Sequence, residues 1–514
     1  MSRSVRFDRR QFVNSVAASG VAVGLGDLAF LSRLPPVSRK EQELDQAAVK
    51  FDSGIEPLVQ LIETTERDRL LEEVAARIHK GTSYREVLTA LLLAGIRNIP
   101  PRPDVGWKFH AVLCINSAHL ASLSSPPEDR WLPIFYAIDF FKGQQLYDER
   151  ESDWSLSQVS ESEVPPAHRS REAFDDAMEN WQDAAADAAT AALVRAAGAA
   201  EVFERFTYYG MRDFRNIGHK EIYLANSWRT LQCIGWQRYA EPVMRSLTYA
   251  LLNHHDEPNP SESDLEFDRP WRSSLLHVDN IRDDWRTGDI SSEATSELLS
   301  TMRSGSWSEA NEQVVDLLNN RVSPQSIQDA LFIGSMEILM RQPNIYALHA
   351  VTATNAMAYA FRTTGNDRTR RLLLLQNAAF LPQFRDHIAE IGERNENRVD
   401  ELKSNTVATR GEPALEEIFG EVDGSPYAAA ELALNYLDQD GQTPEEFMNA
   451  ARRLIFIKTQ NSHDYKFSSA VMEDYYQISP EWRNRYLASS VHYLRGTAAK
   501  DNQLVQRTRA ALDG

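Results

Sequence analysis

The chain has 514 residues, 42% of them hydrophobic and 25% charged, with 10 Trp, 21 Phe and 17 Tyr; that composition excludes a wholly disordered polymer. A formal net charge of -19 at pH 7 repels polyanions over most of the surface, which disfavours nucleic acid or anionic lipid as a partner. Only two cysteines occur, Cys114 and Cys233, so at most one disulfide could form and no CxxC or Cys/His zinc pattern is present, and their apolar helical surroundings predict buried free thiols.

In chain order, residues 8–14 read DRRQFVN, with Arg9 and Arg10 ahead of Phe12, and a weakly hydrophobic stretch follows. This resembles a twin-arginine export signal over residues 1–40. It implies that the twin-arginine machinery carries the folded chain to a periplasmic or extracellular location. Gly20, Gly24, Gly26 and Asp27 make the stretch too short and polar for a membrane span, so none is expected in the mature chain. An amphipathic N-terminal arm is the alternative, and the lack of an A-x-A site leaves the cleavage point open.

From residue 41 to 514 the pattern is mostly α. Apolar residues recur at three- and four-residue spacings in LLEEVAARIHKG, REVLTALLLAGIRNI, DALFIGSMEILMRQ and TRRLLLLQNAAFLPQF, with almost no strand-like alternation. Residues 176–204 are alanine-rich and predict the clearest helix. Turn-forming residues predict loops at 98–106, 122–130, 253–270 and 393–413. None resembles a flexible linker, so a single large multi-helix bundle is expected, with two lobes split near residue 265 as the alternative.

Four histidines share a setting. His110 opens an apolar helix with Cys114 and Ser117 on its face. His349 opens another, LHAVTATNA, with Ala353 and Ala356 at four and seven residues on; both histidines are followed by Asn at the sixth residue, Asn116 and Asn355. His219 follows Gly218 and shares a stripe with Tyr223 and Asn226, while His463 lies three residues before Lys466, with Ser469 and Ala470 beyond. A bundle that holds one metal ion inside needs imidazoles from separate helices and small neighbours that let them meet. Each histidine alone reads equally well as a hydrogen-bonded core residue.

The remaining histidines rank lower. His119 is out of phase with His110 and reads as packing, His254 and His255 fall in a polar, exposed loop, and His277 is a weaker candidate. Trp131, Phe135, Tyr136, Phe140 and Phe141 either line an aromatic cavity or pack in the core, and so do Trp228 and Trp236. Arg229 pairs either with a substrate acid or with a nearby carboxylate. HExxH, Gly-rich dinucleotide and GxSxG patterns are absent, which argues against familiar zinc proteases, Rossmann cofactors and serine hydrolases.

The His110 helix, GHKEIYLANS, LHAVTATNAM and SHDYKF together resemble the scattered motifs of the questin oxidase-like family, over about forty residues in order along the chain, although Lys220 stands where that pattern has a proline. The resemblance implies a mostly helical oxidoreductase that oxidises aromatic or quinone-like small molecules. It implies iron held by His110, His219, His349 and His463, with Lys466 carboxylated as a further ligand. Lys466 otherwise reads as a surface amine or a partner of Asp464 or Glu473. Tyr223 and Asn226 are then expected to orient substrate or oxygen. The rival expectation is a non-catalytic helical binding or scaffold protein with structural histidines.

Overall fold

The computed structural model describes residues 47–514 apart from Asp153, Asn253, His254, Asp256, Gln460 and Gly514. The twin-arginine segment therefore lies outside the described residues, as does His254. Cap chemistry sets many helix starts: Ser83 and Ser306 form reciprocal capping boxes with Glu86 and Glu309, and Ser291, Ser323, Asn366, Ser425, Thr443 and Asn461 each accept a first-turn N–H.

Among the described residues there are twenty-two α-helices. They begin with α1 (Glu56–Thr64), α2 (Arg67–His79), α3 (Tyr84–Asn98), α4 (His110–Leu123) and α5 (Leu132–Glu151). Next come α6 (Ser170–Glu179), α7 (Asp183–Ala196), α8 (Ala199–Gly210), α9 (His219–Ile234) and α10 (Trp236–Leu251). α11 (Arg269–His277), α12 (Ser292–Ser304), α13 (Trp307–Asn319), α14 (Pro324–Arg341), α15 (Leu348–Thr363) and α16 (Asp367–Ala389) follow. The last are α17 (Glu412–Glu421), α18 (Pro426–Asp438), α19 (Pro444–Lys458), α20 (Ser462–Tyr475), α21 (Pro480–Ser489) and α22 (Gln503–Asp513). Among the described residues there is no β-strand, only the isolated bridges Ala48–Ser157 and Asp289–Val322.

The helix expected over 176–204 is in fact parts of three. It breaks between α6 and α7, where Trp181 takes φ +55 beneath the Arg212 guanidinium, and again at Ala197–Gly198, where the backbone is extended. Alanine favours helix everywhere in this stretch, but α7 and α6 must fold back on each other to bury Phe174, Met178 and Ala186, so packing overrides propensity.

Residues 47–514 form one compact unit. At its centre α4, α9, α15 and α20 close a ring in which α4 packs on α20, α20 on α15, α15 on α9 and α9 on α4. These helices are buried nearly all round; α15 buries every residue from Leu348 to Ala358. Outer helices bury only a stripe, as α2 does through Leu70, Leu71, Val74 and Ala75. No helix of the described residues is long and apolar enough to cross a membrane.

Candidate metal centre

Each ring helix carries its histidine in the first turn, and all four histidines meet. One ring nitrogen of each of His110, His219, His349 and His463 lies within 4.8 Å of the others, and all four residues are buried. Because every ring helix begins at this cluster, the four run away from it in the same sense. Hairpins join neighbours antiparallel, so a parallel ring needs long excursions through other helices; 109 residues separate His110 from His219, and 130 separate His219 from His349. Gly218 permits the closest approach: its φ is +88, and a Cβ there would stand 2.4 Å from the Cβ of Ala353 on α15.

The hydrogen bonds fix the tautomers. Nδ1 of His110 lies 2.7 Å from the Trp107 carbonyl, Nδ1 of His219 2.7 Å from that of Asn216, and Nδ1 of His349 2.7 Å from that of Ile345. A carbonyl only accepts, so each Nδ1 carries the proton and each Nε2 presents a bare lone pair. Those lone pairs face one another, with His219 Nε2 3.1 Å from His110 Nε2 and 3.0 Å from His349 Nε2. His463 Nε2 is buried without a partner. Lone pairs aimed at one point repel unless a cation lies between them, so the four histidines fit a metal ion and can hold one.

Electrostatics keep the cluster neutral. Burial, then the neighbouring Lys466 and His349, hold the His110 imidazole well below the usual histidine range. Burial, His349 and His110 do the same to His219, and burial with Lys466 pushes His349 down to about 3. His463 is lowered chiefly by burial. Four helix N-termini add positive potential, which also disfavours imidazolium.

A cleft of about 320 Å³, partly open to solvent, begins one turn further along the same helices. The small residues Ser117, Ala356, Ser469 and Ala470 leave the space, as their spacing behind the histidines predicted. Asn116, Asn226, Arg229, Asn355, Lys466 and Glu473 are among its walls. The amides and charges are linked: Asn116 Nδ2 donates to Asn226 Oδ1 at 3.3 Å, Arg229 donates to Asn226, Asn355 and Glu473, and Asn355 Nδ2 donates to Glu473 at 2.8 Å and to Asp474 at 2.7 Å. Arg229 thus takes the nearby-carboxylate reading. Asn116 and Asn355 carry no assigned role in the sequence reading; their equal six-residue offset from His110 and His349 is the signal that marks them.

Lys466 is neither a surface amine nor a salt-bridge partner. It is 3% exposed, and its Nζ has no hydrogen-bond partner. Burial pushes the amine down to about 7. Tyr223 turns away from the cleft: its hydroxyl donates to Ser246 on α10 at 2.9 Å, and its ring packs edge-on to Phe109. The reason is that four residues advance a helix slightly past one turn, enough here to aim Tyr223 at the α10 side, while Asn226 lines the cleft.

His119, His255 and His277 stand apart from the cluster. His119 is buried with Nδ1 3.0 Å from the Tyr84 hydroxyl, His255 is 59% exposed at its side chain, and His277 Nδ1 lies 3.0 Å from the Ser273 carbonyl. Phe135, Tyr136 and Phe141 are core residues, Trp131 packs on Tyr84, and Trp228 packs on Phe203 and Trp236; none of these lines the cleft. Cys114 is a buried free thiol as expected, whereas Cys233 is free but only half-buried. No family model, curated protein or solved structure matches this chain.

Proposed function

We propose that the chain is an exported non-haem iron oxygenase whose small organic substrate enters the cleft above the four histidines. The observation that carries this reading is the set of inward lone pairs. Two ligands at right angles, each about 2.1 Å from one ion, are about 3.0 Å apart, whereas tetrahedral ligands would be about 3.4 Å apart. The Nε2 separations of 3.0 and 3.1 Å would let the imidazoles hold one ion in common, and imidazole donors suit iron among other transition metals. Bound iron supplies the activation of dioxygen. The reaction balances as substrate plus dioxygen giving a product that carries both oxygen atoms, with no external reductant.

The chain's own residues hold and orient. The carbonyls of Trp107, Asn216 and Ile345 lock three imidazoles in the ligating tautomer. Asn226 and the linked amides and charges beyond it position the substrate. The resemblance to the questin oxidase-like family supports an aromatic or quinone-like substrate, and the polar walls support an oxygen-rich one; a hydroxylated ring satisfies both. An anionic oxygen beside Lys466 Nζ completes the site, and the same resemblance supports one carried by the lysine itself as a carbamate. The Arg9–Arg10 motif supports export of the folded, metal-loaded chain.

Elemental analysis of protein purified without chelators tests the reading, with about one iron per chain and oxygen uptake as the expected result. A metal-free but stably folded chain would favour the scaffold alternative. Bound zinc without oxygen uptake would favour a hydrolase.

A further inference from the structure

The cleft carries more positive than negative charge. Glu473 is shared between two guanidiniums, Arg229 in direct contact and Arg362 at 3.6 Å. Arg229 also stacks on Tyr359 at 3.9 Å, which keeps its fork at the cleft wall. In the same lining, Lys466 Nζ is buried and unpartnered. In a chain of net charge -19, a buried amine with no carboxylate partner among the described residues marks a place kept for an anion from outside.

We infer that the cleft binds a small organic acid, whose carboxylate sits against Lys466 Nζ and whose carbon skeleton lies among Asn116, Asn226 and Asn355. This rests on the proposed function only in taking that molecule as the substrate; the binding site itself does not depend on the metal. The carboxylate takes the place beside Lys466 Nζ that a carbamate on the lysine would otherwise fill. Part of the cleft's volume of about 320 Å³ is open solvent, so only a small acid reaches Lys466.

Isothermal titration of the full-length, metal-loaded chain with benzoate and with benzamide, equal in shape and different in charge, tests the inference. Benzoate is expected to bind at least about tenfold more tightly than benzamide, and Lys466→Met to remove that preference while metal content stays unchanged. Equal binding of the two, no binding of either at about 10 mM, or a preference that survives Lys466→Met would overturn it. So would native mass spectrometry showing carbon dioxide on Lys466 in a chain that ignores benzoate. A chain without metal that still prefers benzoate through Lys466 would sink the oxygenase reading and leave this one standing. One iron per chain with no acid preference would do the reverse.

Discussion

Two buried lysines lie on ring helices, and the chain treats them oppositely. Lys220, next to His219, is 1% exposed and donates to both oxygens of Asp213 at 2.9 and 2.8 Å and to the Leu251 carbonyl at 3.2 Å. Lys466, three residues beyond His463, is 3% exposed and donates to nothing. Around Lys220 the neighbouring Arg215 is likewise bound to Asp268 through both carboxylate oxygens, at 2.9 and 2.6 Å. Where a charge holds loops to helices, the sequence provides its counter-charge. At the site, Lys466 Nζ, His463 Nε2 and Asn116 Oδ1 are left unpartnered.

Acid should separate the two regions most strongly. The four histidines of the metal-free protein have folded-state values below the usual one, so the unfolded chain gains protons below about pH 6.5 that the folded chain refuses. Stability is whole above that point and falls with pH, by about 1.4 kcal/mol per unit for each imidazole, until the folded values are reached. Asp213 behaves differently: burial alone raises it, but the Lys220 ammonium pulls it below the ordinary carboxylate range, so its contribution lasts until pH drops under about 4. Urea midpoints of metal-free protein should therefore begin to fall near pH 6.5, and His349→Ala should flatten that slope. An onset only below pH 4 would contradict the neutral-imidazole cluster.

Lys220→Met should come next, with a loss of roughly 3–5 kcal/mol in equilibrium unfolding, because Asp213 would be left as a buried charge. His349→Ala should then weaken metal retention roughly a hundredfold, about 2.8 kcal/mol, in competition with a chelator, while the helical circular dichroism is kept. Lys466→Met should have the smallest effect on stability, within about 1 kcal/mol of the parent or above it, since no partner is stranded. If Lys466→Met destabilised as much as Lys220→Met, the contrast between the two corners would be lost.

The loops at 98–106, 122–130, 253–270 and 393–413 were legible from turn residues; among the described residues each lies between helices but overlaps a neighbouring one by one or two residues. The break-up of 176–204 was not, because Trp181 adopts a positive φ under a guanidinium that arrives from α8's far end, a contact no local pattern encodes. Within the site, the four histidines and Lys466 stood out because each begins or follows a helix start with small residues behind it. Tyr223 was misdirected by the same logic. A stripe on a helix names a face, and the choice between the cleft and α10 depends on the neighbouring helices.

Helix content, the first-turn position of each histidine and the small residues beside the cleft were determined by the sequence alone, since periodicity and capping act within a few residues. The meeting of His110, His219 and His349 across 109 and 130 residues, the carbonyls that fix their tautomers and the absence of a partner for Lys466 were decided only in the tertiary structure. These depend on long-range packing, which brings together groups that share no local register.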